Sequence, residues 1–283
     1  MAVLELLKSV LMGIVQGITE WLPISSTGHM LLLNEFINMT VSADAARNSD
    51  FFDVFKVVIQ LGSILAVLVL YFHKLNPFSK KKSEIQKKQT LSLWVKVLIA
   101  SVPAAIIGLA FDDIIDDVLS TWYVIAAALI VYGILFIWLE SRNKKPHITD
   151  FKQMSYKTAL LIGVFQMLAL IPGTSRSGST ILGAVFLGSS RYIAAEFSFF
   201  MAIPVMVGAS GVKLLKFALN NGLGFTGLEL GVLLTGFVMA FIVSVLVIRF
   251  LMNYIKRHDF KVFGYYRIIL GLVVILYFGL LAR

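Results

Sequence analysis

The sequence predicts an all-α membrane protein, with six transmembrane helices and two re-entrant broken-helix regions in an inverted-topology repeat. Three observations carry that expectation. Hydrophobic residues make up 58% of the 283-residue chain and charged residues 14%, with a mean hydropathy of +0.87; soluble domains carry about 25% charged residues. Fourteen of the 25 Lys and Arg fall within residues 73–90, 140–152 and 249–261, the bias that marks cytoplasmic loops. Finally, a polar motif stands twice inside apolar sequence, at Gly13–His29 and again at Gly163–Ser179. An internal repeat dictates architecture, and hydroxyls and charges placed in hydrocarbon mark a site by default.

With the three basic loops on the cytoplasmic side, parity orders the elements. Segment 1–32 dips in from outside, and without a small-residue cleavage site it does not read as a removable signal peptide. Residues 54–72 run inward, 92–111 return and 121–139 run inward again, each close to the ~20 residues a bilayer requires. Between them, 112–120 carries Asp112, Asp113, Asp116 and Asp117 and no base, so it reads as a solvated acidic outer turn, with a metal site as the alternative. Segment 158–190 dips from the cytoplasm, 193–215 and 228–248 lead out and back, and 265–281 ends outside. Pro23 and Pro172, each followed by Ser, Thr and Gly, suit helix breaks. Non-helical backbone at that depth is tolerated only where it is buried in protein or lines a wet cavity. An odd number of crossings separates the copies, so the second is inverted and the two broken segments meet near the midplane. The chain is then one polytopic domain, 1–283, with repeat one over 1–140 and repeat two over 155–283.

Composition also excludes classes of chemistry. With no cysteine, disulfides, thiolate metal sites and cysteine nucleophiles are absent. The net charge of +9 resides in the loops, so it implies a lipid bilayer and no nucleic acid. Within the repeats, Gln16 and Glu20 are four residues apart and share a helix face; a carboxylate there can bind a divalent cation or act as a base. Ser25-Ser26-Thr27-Gly28 and Thr174-Ser175-Arg176-Ser177-Gly178 offer backbone N–H groups and hydroxyls for an anion-binding nest, Ser179 and Thr180 add hydroxyls, and Arg176 adds a fork matched to phosphate. His29 is the one histidine that accompanies this cluster, since His73, His147 and His258 lie in or beside basic loops; it can activate a hydroxyl or protonate a leaving group. The duller readings are specific. Glu20 can pair with Arg176 as a structural bridge, Ser25 and Ser26 can cap the helix beginning near Gly28, and Gly13, Gly17 and Gly163 can serve close helix packing. Small residues on several spans permit a homodimer, and packing within one chain explains them equally.

At Gln16-Gly-Ile-Thr-Glu20-Trp-Leu-Pro-Ile-Ser-Ser-Thr-Gly-His29 and Pro172-Gly-Thr-Ser-Arg-Ser-Gly178, the chain resembles the bacitracin-resistance type of undecaprenyl pyrophosphate phosphatase, over essentially its full length. The resemblance implies an enzyme of the bacterial inner membrane that removes the terminal phosphate of undecaprenyl pyrophosphate, with a site opening to the periplasmic side. The lipid carrier is thereby returned to peptidoglycan and envelope-polymer synthesis, and bacitracin resistance follows. It further implies a divalent cation, Mg2+ or Ca2+, and a catalytic set of Glu20, Ser26, His29 and Arg176, supported by Gln16, Ser25, Ser175 and Thr180. Position 16 is Gln where other members have Glu, which leaves Glu20 as the main candidate metal ligand. Ser26 and a water activated by Glu20 or His29 are the two candidate nucleophiles. A transporter or flippase of a phosphorylated polyprenyl lipid, using the same midplane site, is the alternative, because inverted repeats and broken helices also build transporters.

Overall fold

The computed structural model describes residues 2–222 and 224–281, without the side chains of 112–114, 116, 117 and 281. Eleven α-helices are described: α1 (Ala2–Thr19), α2 (Ser26–Phe36), α3 (Ala45–Leu70), α4 (Phe72–Leu75), α5 (Glu84–Leu119), α6 (Trp122–Ser141), α7 (Tyr156–Met167), α8 (Arg176–Phe186), α9 (Arg191–Asn221), α10 (Gly227–Tyr254) and α11 (Lys261–Leu276). The chain starts its long helices with local signals. Asp44 caps α3 by accepting from Ala46 and Arg47, Ser190 caps α9, and Thr226 and Glu229 form a reciprocal capping box on α10.

Seven of these helices are long and apolar enough to cross a membrane, where the sequence led to six. The additional one is α1, whose 18 residues fall at the short end of the spanning range; α7, at its place in the second copy, has 12. A second difference concerns 112–120. The backbone there is not a turn but the last part of α5, which continues to Leu119, because aspartate lowers helix propensity by only a fraction of a kcal/mol and no Gly or Pro intervenes. The Asp112, Asp113, Asp116 and Asp117 side chains lie outside those described.

Packing follows the repeat. α1 lies against α10 and α7 against α5; α3 meets α10 and α9 meets α5; α3 meets α9 and α6 meets α11. Exchanging the two halves of the chain maps this set of partners onto itself. Glycines set the closest approaches. A Cβ on Gly13 would sit 2.7 Å from the Gly236 carbonyl oxygen, and one on Gly163 would strike the Ala100 carbonyl. On α6 and α11, a Cβ on Gly133 or on Gly264 would lie 2.7 Å from the other's carbonyl oxygen. Around Trp21, Phe197, Phe199 and Phe200 the interior is closed. Outward faces carry Leu7, Leu98, Val102, Ile134, Leu234, Leu246 and Ile269 in the open, an apolar surface far too extensive for water and suited to lipid.

Candidate active site

The two polar motifs fold alike and meet. After α1 and after α7 the chain turns and re-enters a helix at serine. Ser25 has φ 73° and its Oγ accepts from the Gly28 N–H at 3.2 Å; Ser175 has φ 72° and accepts from Gly178 at 3.1 Å. Among the described residues only three non-glycine residues have positive φ, and these are two of them. Such a backbone costs on the order of 1–3 kcal/mol and persists where the surroundings enforce it. The cap lies on Ser25, and Ser26 is left as the first residue of α2 with its hydroxyl free to point elsewhere.

That hydroxyl donates to Glu20 Oε2 at 3.3 Å, beside Gln16 Nε2, which donates to the same oxygen at 2.8 Å. Glu20 Oε1 accepts from Arg176 at 2.8 Å, and Ser177 Oγ donates to the Glu20 carbonyl at 3.0 Å. The buried carboxylate thus abuts the first residues of both α2 and α8, the ends where helix dipoles favour negative charge. The Arg176 guanidinium reaches Ser198, donating to its carbonyl at 2.7 Å; Ser198 Oγ also meets Thr180 Oγ1 at 2.6 Å, and the guanidinium lies 5.7 Å over Trp21. The Glu20–Arg176 bridge foreseen as one reading is therefore present. It spans 156 residues of sequence.

Among the described residues, the buried Arg176 Nε, Thr174 Oγ1, Trp21 Nε1 and both amide atoms of Gln166 have no hydrogen-bond partner. Gln166 corresponds to Gln16, but four residues on stands Leu170 rather than a glutamate. The first copy supplies the carboxylate and the second the arginine.

His29 stands apart from the predicted serine partner. Its Nδ1 meets the Ser25 carbonyl and its Nε2 the Tyr266 hydroxyl, each at 2.7 Å, and no hydrogen bond joins it to Ser26 or Glu20 among the described residues. Thr27 is exposed, Gly28 faces Leu129, and Ser179 donates to Tyr132 at 3.1 Å. The close packing expected of Gly13, Gly17 and Gly163 is seen, against α10 for the first two and α5 for the third.

The sequence reading missed Arg267. It is fully buried, with Nη1 donating to the Pro23 carbonyl at 3.2 Å and Nη2 to those of Gly173 at 3.0 Å and Thr174 at 2.9 Å. One guanidinium ties both helix breaks together, with carbonyls rather than a carboxylate as partners. An arginine in the apolar run after Phe263 was the available signal. Among the described residues these contacts bring together two guanidiniums and one carboxylate, an imbalance that favours an anion.

A family profile described as bacitracin resistance protein BacA matches residues 9–273. The chain belongs to the BacA family. Full-length relatives agree: it is 61% identical over 280 residues to undecaprenyl-diphosphatase 1 of Clostridioides difficile strain 630, covering 99% of this chain and 98% of that one. It is 60% identical over 277 residues to the undecaprenyl-diphosphatase of Acetivibrio thermocellus, covering 97% and 98%. To that of Enterococcus faecalis strain V583 it is 55% identical over 275 residues, covering 96% and 97%. With its apolar helices, this BacA-family chain is a multi-pass membrane protein.

Proposed function

We propose that the chain is a phosphatase that hydrolyses undecaprenyl pyrophosphate to undecaprenyl phosphate and inorganic phosphate, recycling the carrier for peptidoglycan and envelope polymers and conferring bacitracin resistance. The observation that carries it is the Glu20–Arg176 pair lodged between two helix N-termini, with Ser26 on the carboxylate and unpartnered Arg176 Nε and Thr174 Oγ1 beside it. These donors suit a charged phosphoryl group, whose transfer needs mainly positioning and charge stabilisation.

In this reading Arg176, Thr174 and the leading amides of α2 and α8 grip the pyrophosphate, with Gln16, Ser25, Thr27, Gly28, Ser175, Ser177, Gly178 and Thr180 shaping the grip. Ser26 Oγ passes its proton to Glu20 and bonds to the terminal phosphorus as the bridging P–O bond breaks, releasing undecaprenyl phosphate. Water, deprotonated at His29, then displaces Ser26 from phosphorus, and the proton on Glu20 returns to Ser26. Direct attack by water would use the same groups, with Ser26 binding phosphate. No group of three or more His, Asp or Glu is found among the described residues, so a Mg2+ or Ca2+ would rest on Glu20, the Gln16 amide oxygen and the substrate itself, a donor set of hard oxygens that fits such ions. Bound there, the cation would neutralise phosphate charge.

The six-span arrangement with re-entrant α1–α2 and α7–α8 in an inverted repeat belongs to the same proposal. Its supports are the self-mapping helix contacts and the matched Ser25 and Ser175 caps. So does placement in the inner membrane with the site toward the periplasm, supported by the basic loops. A homodimer is compatible with this surface. Transport of a phosphorylated polyprenyl lipid is the second reading, favoured by the paired helix breaks at one site.

Phosphate release from undecaprenyl pyrophosphate by purified protein, with and without EDTA, tests the assignment. Cation-dependent release is expected, falling roughly 10²–10⁴-fold in Glu20→Gln. A dead but folded Ser26→Ala favours serine attack, and residual turnover favours water. No release across several metals from folded wild type would move transport to the front.

A further inference from the structure

The ring nitrogens of His29 have unequal partners, and that inequality fixes a proton. Nδ1 lies 2.7 Å from the Ser25 carbonyl oxygen, which can only accept, so Nδ1 carries the hydrogen. In the neutral imidazole Nε2 is then an acceptor, and the hydroxyl 2.7 Å away on Tyr266 must donate to it. The two ring planes are nearly parallel, 4° apart with centroids separated by 5.6 Å. Tyr266 arrives from α11, 237 residues away, and is 43% exposed. The second repeat has a matching contact. Ser179, at the position of His29, bonds to Tyr132 of α6, the helix that pairs with α11.

We infer that Tyr266 is a positioning residue for His29, holding the tautomer with a basic Nε2 and taking over as acceptor once that nitrogen is protonated. This inference rests on the phosphatase reading for its kinetic consequence, though not for the pairing itself. A tyrosine hydroxyl can serve in both states, because it donates to the neutral ring and, after rotating its own proton away, accepts from the imidazolium N–H. Phenylalanine keeps the ring and the packing and loses both abilities.

The test compares wild type, Tyr266→Phe, His29→Ala and the double variant as full-length protein in detergent, with undecaprenyl pyrophosphate as substrate. Tyr266→Phe should lower kcat about tenfold, as expected for one hydrogen bond to a charged group, with KM changed by less than about twofold. In the His29→Ala background the same substitution should have no further effect, since coupling is what a cycle isolates. Nitrogen-15 spectra of the imidazole, in protein with His73, His147 and His258 replaced by Gln, should show Nδ1 protonated and the Nε2 resonance displaced by Tyr266→Phe. An equal fall in kcat in both backgrounds, a kcat within about twofold of wild type, or an unmoved Nε2 resonance would overturn the inference. Wild type without turnover would sink the phosphatase reading alone, and the spectra would still decide the pairing.

Discussion

Arg267 donates to four carbonyls, three of them from two separate loops, and among the described residues no carboxylate pairs with it. Removing it leaves buried acceptors unpaired at about 1–3 kcal/mol each, so Arg267→Leu should lower both the melting temperature and phosphate release. Arg267→Lys should recover part of the stability and less of the turnover, because an ammonium cannot reach the same fan of oxygens. Thermal denaturation in detergent beside the phosphate assay checks both, and a variant as stable and active as wild type would refute the role. The sites differ in how readable they were. Gln16 and Glu20 are one helical turn apart, Ser25 and Ser175 recur in register, and Arg176 stands inside a motif, so local spacing revealed them. Tyr266 and Arg267 act on groups some 240 residues away, outside the two polar motifs; the apolar run around Arg267 was the single clue. The left-handed backbone of Ser25 and Ser175 was not legible at all, since serine carries no local preference for it.

At the level of elements, the glycine contacts set how closely helices lie. A Cβ on Gly163 would strike the Ala100 backbone carbonyl of α5, which cannot swing aside. Gly163→Val should therefore separate α7 from α5, with an overpacking cost of roughly 1–3 kcal/mol visible as a lower melting temperature. Gly208→Val, on α9 with nothing within 4 Å of its new Cβ, is the control and should stay near wild type. Helix identity was largely legible because long apolar runs between basic loops admit few alternatives. Helix ends were not. α5 continues past the expected end of its span through the aspartates, because termination needs a breaker and charge alone is not one. α1 reaches spanning length because the break comes only after Thr19, while in α7 the corresponding helix begins later, behind Ser155.

For the whole molecule, sidedness is the property to measure, and the absence of cysteine makes single-cysteine labelling clean. Cysteines placed at Ala2 and Ser42 should react together with an impermeant reagent from outside, and those at Lys81, Asn143 and Lys256 only after the membrane is opened. Ala2 reacting with the inner group would make α1 a true span and refute the re-entrant arrangement. The position of Arg267 has a consequence for how the protein is made. Glu20 and Ser26 leave the ribosome early, yet the loops around Pro23, Gly173 and Thr174 wait for a guanidinium synthesised up to 244 residues later. At about 5–20 residues per second that interval is roughly 10–50 s. A nascent chain therefore carries nearly every group of the proposed site before it carries the guanidinium that joins the two loops, and on the proposed reading activity should begin only once the final long helix is inserted.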